Sequence, residues 1–152
     1  NKYGWVDIGS SFLPSEITAA FLWAQLEELD NIQAIRLEIW NNYMHALKDF
    51  AGSKDIQLPF IPVYATNNAH MFYLICKSID QRTKLLEKLK KDGILAVFHY
   101  QSLHNSIFYK NKHDNRVLPR ADYYSDCLLR LPIFYELKKN VIELISRVIY
   151  DI

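Results

Sequence analysis

From Pro14 to about Asp49 the chain repeats its apolar residues at helical spacing, and it does so on more than one face. Ile17, Ala20, Phe21, Ala24 and Leu29 follow one stripe, and Ile32, Ile35, Ile39, Tyr43 and Leu47 follow another at intervals of three and four. Leu22, Trp23, Leu26 and Trp40 lie off that stripe. A helix that is apolar on two faces needs two partners, such as a second domain or a second subunit. Pro14 suits the start, because the first turn does not use its missing N–H. Ser15 and Glu16 add favourable chemistry at the positive end of the helix dipole. Asp30-Asn31 is a candidate break into two helices, and Ala51-Gly52-Ser53 ends the stretch.

The pattern then changes. Ile56 to Phe60 and Met71 to Cys76 are rich in aromatic and branched residues and read as strands. Asp80 is the expected cap of a polar helix over residues 81–91, whose lysines crowd its C-terminal end, with Gly93 as the stop. Ile94 to Phe98 reads as a strand leading into His99. Residues 109–116 are polar and loop-like, residues 121–129 form a short helix, and 131–134 are extended. Val141, Leu144, Ile145 and Val148 mark a last amphipathic helix. The expectation is an α+β fold, with a small mixed or antiparallel sheet carrying helices on one face. Residues 51–152 would form a compact domain and residues 1–50 an arm that packs on something else.

Several functions are excluded by what the chain lacks. Eighteen Lys and Arg against seventeen Asp and Glu leave a net charge of +1, too weak a field to hold nucleic acid or a membrane surface. No apolar run approaches the roughly 18 residues of a spanning helix. With four glycines, no glycine-rich phosphate loop can be written. Cys76 and Cys127 form no CxxC motif, which argues against a zinc knuckle and makes a reducing compartment the default. The opening Asn1-Lys2-Tyr3-Gly4-Trp5 has no charged stretch followed by an apolar one, so it is not a signal peptide and reads like the middle of a longer chain.

Two places could carry chemistry. His99-Tyr100 and His104 follow a strand, where polar substrate contacts gather. The plain alternative is a half-buried loop with two satisfied histidines. No neighbouring Cys, Asp or Glu completes a ligand set, so no metal is expected. Gly9-Ser10-Ser11 before a helix start could bind an anion through backbone N–H groups and hydroxyls, although the sequence alone favours the simpler reading that Ser11 merely caps the helix. No GxSxG elbow exists, the Lys84/Lys88/Lys91 run reads as a solvated helix face, and His70 reads as a structural residue of its strand.

These segments resemble a known family. The run from Trp5 to Glu27 (WVDIGSSFLPSEITAAFLWAQLE), then Ala69 to Tyr73, then Phe98-His99-Tyr100 with Leu103-His104, then Leu129 to Phe134, match in order the signature of the DegT/StrS family of sugar aminotransferases. The resemblance covers nearly the whole chain. It implies the C-terminal small domain of a fold type I, aspartate aminotransferase-like enzyme that depends on pyridoxal 5'-phosphate (PLP). It also implies a cytoplasmic homodimer that moves an amino group from glutamate to a nucleotide-linked 4-keto-6-deoxysugar for surface polysaccharides such as lipopolysaccharide. The Lys that forms the Schiff base would lie upstream, since no Lys here has the matching context and Lys2 is wrong by position. The chain alone would then be inactive and would hold no catalytic residue of its own. The family's Gly-x-Asn-x-Arg places Ser11 at the Asn position and Leu13 at the Arg position, so Ser10 and Ser11 are the cofactor-phosphate candidates, weakened by the loss of the Arg. His99 and Tyr100 would contact the sugar or pyrophosphate, with His104 beside them. The competing readings are a stand-alone binding or dimerisation domain of the same shape, and an unrelated α+β interaction domain. In a truncated chain the second face of the long helix lacks its cover, so a dimer or higher oligomer through residues 14–47 is expected.

Overall fold

The computed structural model describes residues 6–9, 13–53 and 55–151. In chain order the described elements are α1 (Glu16–Glu27), α2 (Leu29–Ser53), β1 (Phe72–Ile75), α3 (Ile79–Lys91) and β2 (Val97–Phe98). They continue with a 3-10 turn (Leu103–Asn105), α4 (Pro119–Cys127), β3 (Leu128–Leu131) and α5 (Lys139–Tyr150). The fold is α+β with a fully antiparallel sheet in the order β1-β3-β2. The last strand in sequence lies at the centre, so the segment 128–131 is clamped from both sides.

Alternation within β3 decides which way the sheet faces. Leu129 and Leu131 are buried, while Leu128 and Arg130 project to the opposite side. Phe72 opposite Leu131, and Leu74 and Phe98 opposite Leu129, complete the core face. Onto it pack Tyr43 and Leu47 of α2, Leu85 and Leu89 of α3, and Ile142, Ile145 and Ile149 of α5. The Tyr43 ring stacks on Phe72 with centroids 4.9 Å apart, and Trp40 meets the same ring edge-on at 5.5 Å. Phe50 and Tyr150 lock α2 against α5, and the Tyr150 hydroxyl donates to the Ala46 carbonyl. The core thus takes Ile39, Trp40, Tyr43, Leu47 and Phe50 from α2, while α1 contributes no buried residue.

Several local expectations are corrected. Ser15 caps α1, accepting from the Thr18 N–H. The helix breaks at Glu28 rather than at Asp30-Asn31. Asp30 instead occupies the first turn of α2, where its charge suits the dipole. Residues 56–60 do not form a strand: Gln57 makes one isolated bridge to Ile75, and Pro59 and Pro62, lacking N–H groups, deny the ladder further donors. Ser78, not Asp80, caps α3. The strand expected from Ile94 begins only at Val97, because the Ile94 N–H is used to close α3 onto the Leu89 carbonyl. The Gly93 N–H reaches the Lys90 carbonyl at φ +76°, so the pair forms a Schellman closure with glycine in the left-handed region. The short helix expected over 121–129 gives way at Leu128 to the central strand. That strand ends before Pro132, short of the extended segment expected over 131–134.

Candidate functional site

The face of the sheet turned away from the core is where the chemistry-bearing residues meet. Strand register places Tyr73, Arg130 and Val97 side by side across β1, β3 and β2, and His99 follows one residue beyond the end of β2 on the same side. His99 is half-buried. Its Nδ1 is buried and has no hydrogen-bond partner among the described residues. Burial, and secondly the charge of Arg130, hold the imidazole below its usual range, which favours the neutral ring. Tyr100 meets His99 edge to face at 5.2 Å and is 54% exposed. The structure therefore brings His99 and Tyr100 together at a strand exit, one ring inward and one outward.

His104 is placed differently. Its Nε2 lies 3.1 Å from a carboxylate oxygen of Asp122 in α4. The same carboxylate accepts from the Ser102 hydroxyl at 2.9 Å and the Asn105 amide at 2.8 Å. Ser125, also on α4, accepts from the Ser102 N–H and donates to the Tyr100 carbonyl. One turn of α4 thus fixes residues 100–105, and His104 serves as one of its anchoring points. Asp122 and Ser125 escaped the sequence reading because nothing in the spacing of a helix reveals which loop folds over it.

His70 lies just before β1 and is exposed, not embedded in the strand as expected. Its carbonyl and that of Ala69 both accept from Arg36 of α2, at 2.8 and 3.0 Å, while Gln33 donates to the Asn68 carbonyl. Ala69 is fully buried at φ 48°, a strained setting for a residue with a Cβ, held by these side chains and by Asn67 accepting from its N–H. This turn delivers His70 and Met71 to a groove of about 290 Å³ at one end of the sheet, lined also by Leu95, Val97, Arg130, Leu131, Pro132 and Ile133.

Ser10 and Ser11 lie outside the described residues. Among the described residues no cluster of three metal-ligating side chains occurs, and no helix is long and apolar enough to cross a membrane. Cys76 and Cys127 are both free and buried, joined through the Cys76 N–H and the Cys127 carbonyl. Burial pushes the Cys76 thiol up to about 12, so it is no nucleophile. The sequence reading also passed over Arg130. Its signal was present as the one charged residue in Leu128-Leu129-Arg130-Leu131.

Comparison with known proteins adds the following. A family model for DegT/DnrJ/EryC1/StrS aminotransferases matches residues 1–150. The crystal structure of DesV from S. venezuelae, in complex with a ketimine intermediate, is 26% identical with a TM-score of 0.79. The match covers 90% of this chain and 36% of that one. PseC of Helicobacter pylori, an aminotransferase involved in the biosynthesis of pseudoaminic acid, is 23% identical with a TM-score of 0.73, covering 96% of this chain and 39% of that one. The aminotransferase TlmJ from Streptoalloteichus hindustanus is 21% identical with a TM-score of 0.73, covering 84% and 33%. The fold is shared with these fold type I enzymes, and the chain spans about a third of the length of the solved structures it matches.

Proposed function

The chain belongs to the DegT/DnrJ/EryC1/StrS aminotransferase family, and on that premise we propose that it is the C-terminal portion of a PLP-dependent sugar aminotransferase. The parent enzyme transfers an amino group from glutamate to a nucleotide-linked 4-keto-6-deoxysugar and resembles dTDP-4-amino-4,6-dideoxygalactose transaminases. The enzyme is cytoplasmic, and its product feeds the synthesis of surface polysaccharide. The observation that carries this reading is the family match over residues 1–150. The open sheet face supports it: a half-buried neutral imidazole and an exposed phenol suit the hydroxyls and flat faces of a sugar.

The residues present do not fit a complete PLP site. PLP supplies an electron sink for moving the amino group, and that chemistry needs a lysine at the reacting carbon. Among the described residues Lys77 is tied to Asp55 at 2.8 Å, Lys84, Lys88, Lys90 and Lys91 ride on α3, and Lys112 lies over Phe108. None lines the groove beside Arg130. In this reading the chain contributes a substrate-facing wall, and the resemblance to the family assigns the Schiff-base lysine to the rest of the parent enzyme. Ser10 and Ser11 remain the proposed phosphate contacts. Ile17, Phe21, Leu22, Trp23 and Leu26 of α1, all exposed, are the proposed contact with the rest of the enzyme and its homodimer partner.

The test is His99→Ala in the full-length enzyme. Losing one hydrogen bond to the sugar should raise KM for the nucleotide sugar about tenfold, with the glutamate KM unmoved. Unchanged KM and kcat for both substrates would remove His99 from the site. The 152-residue chain mixed with PLP should give no absorbance band that disappears on replacing a single lysine.

A further inference from the structure

We propose that Cys76 and Cys127 form a reversible disulfide that ties the end of β1 to the junction of α4 and β3, giving the fold an oxidation-dependent lock on the helix that holds residues 100–105. The proposal stands on the geometry of the pair and is independent of the aminotransferase reading.

Strand register brings the two cysteines together. β1 and β3 pair antiparallel, from Phe72 opposite Leu131 to Ile75 opposite Leu128, so the next positions to meet are Cys76 and Cys127. They do meet: the Cys76 N–H donates to the Cys127 carbonyl at 2.9 Å. Opposite residues of that hydrogen-bonded kind lie about 5.5 Å apart between Cα atoms, inside the roughly 4.4–6.8 Å that a disulfide spans. Their side chains also share a face. Cys76 follows Phe72 and Leu74, and Cys127 precedes Leu129 and Leu131, all at alternate positions and all buried. These are the only cysteines of the chain, and both are free.

Two further features distinguish the pair from inert core thiols. Arg82 lies within electrostatic reach of both and lowers each against the burial that raises it, and its Nε is buried without a hydrogen-bond partner. A guanidinium there favours the thiolate through which exchange runs. The Tyr123 hydroxyl of α4 donates to the Cys76 carbonyl at 3.2 Å, so strand end and helix are registered before any covalent bond forms. On the same helix Asp122 and Ser125 hold residues 100–105, and a tie at Cys127 bears on that segment as well.

In a reducing compartment the pair rests as two thiols. Burial keeps them protonated, so exchange runs in the moments when the end of α4 opens, and it is slow. A small-molecule disulfide is the oxidant. Cys127, as thiolate, attacks one of its sulfurs and a thiolate leaves. Cys76 then gives up its proton and attacks the Cys127 sulfur of the mixed disulfide, expelling the second thiolate. The protein loses two electrons and two protons, and the oxidant gains them as two thiols.

The experiment equilibrates the 152-residue chain with mixtures of reduced and oxidised glutathione, once in buffer and once in concentrated urea, and reads the products by intact mass after acid quenching. The expected product is a monomer lighter by two hydrogens, restored by dithiothreitol. At a given glutathione mixture the ratio of disulfide to dithiol should be at least about tenfold higher for the folded chain than in urea, because folding favours a fitting cross-link to the degree that the cross-link stabilises the fold. Hydrogen exchange at the amides of Cys76, Leu128 and Ser102 should slow at least about threefold on oxidation. Cys76→Ala and Cys127→Ala should each stop at a glutathione adduct, and the comparison of folded with urea-unfolded parent stands without either variant. The proposal is overturned if folding leaves the ratio unchanged or lowers it, if the product is a mixed disulfide or a cross-linked dimer, or if the three amides exchange alike in both forms.

Discussion

Tyr43→Phe is the most discriminating test of how the helical and strand layers are joined. Tyr43 is fully buried and its hydroxyl donates to the Pro132 carbonyl at 2.9 Å. The phenylalanine variant keeps the ring stacked on Phe72 and removes one oxygen, so the cavity created is small. What remains is a carbonyl that has lost its donor at the exit of β3, where Pro132 itself can supply no N–H. A partly buried acceptor left unpaired costs about 1–2 kcal/mol. For a chain of this size that corresponds to a fall in Tm of about 3–6 °C. Tyr43→Leu removes the aromatic pair as well and should cost roughly 3–4 kcal/mol. Urea denaturation followed by circular dichroism reads both, with an unchanged slope required if only native-state contacts are lost. If Tyr43→Phe were as stable as the parent, the hydrogen bond from α2 to the end of β3 would not be a tether, and the account of how Pro132 and Arg130 are held in place would be wrong.

Three further outcomes follow from particular contacts. Asp122→Ala removes the acceptor shared by Ser102, His104 and Asn105. Because that carboxylate is partly exposed the cost should be only about 1–2 kcal/mol, with amide shifts concentrated in residues 100–105; shifts spread evenly over the sheet would contradict the anchoring role. Gly93→Ala must place a Cβ at φ +76° and should lower the unfolding free energy by about 1 kcal/mol, read from the urea midpoint. Alkaline stability depends on Cys76. Its thiol is pushed up to about 12 by burial and, less, by Cys127, from an ordinary value of 9.0. The unfolded chain releases that proton first, so the contribution is complete below pH 9 and is lost as pH rises toward 12. Cys76→Ala should flatten the decline of Tm across that interval, and an unaltered slope would show that the thiol does not titrate with unfolding.

Much of the fold was legible because its signals are local. The apolar stripe of α2, Gly93 as a helix stop and the amphipathic last helix each depend on residues within a turn or two of one another. The sheet was read less well for a definite reason. β2 is two residues long, and the pairing that makes Val97–Phe98 a strand at all comes from β3, some thirty positions downstream. The segment 56–60 has strand composition, yet its prolines leave it a single bridge. In the candidate site, His99 and Tyr100 could be singled out because they end a recognisable strand. Arg130 and Asp122 were not, because their meaning is set by register and by loop docking, which no spacing rule encodes. His104, singled out for its chemistry, proved to be engaged by Asp122.

The long apolar stretch divides at Glu28 into two helices of opposite character, and this division bears directly on function. α2 turns Ile39, Tyr43, Leu47 and Phe50 inward until each is almost fully buried. α1, twelve residues long, buries none, and leaves Phe21 70% and Trp23 68% exposed. A helix that short is marginal in water without tertiary contacts, and aromatic surface of this size is what interfaces are made of. A second groove, lined by Phe21, Ala24, Ile32 and Tyr135, lies at the junction, where Asn31 donates to the Tyr135 hydroxyl. Mutating Phe21 and Trp23 together to serine should therefore leave the stability of the α2–α5 core nearly unchanged, while weakening whatever association the chain shows in sedimentation. If the same double change unfolded the core instead, α1 would belong to this domain rather than to the surface it is proposed to cover.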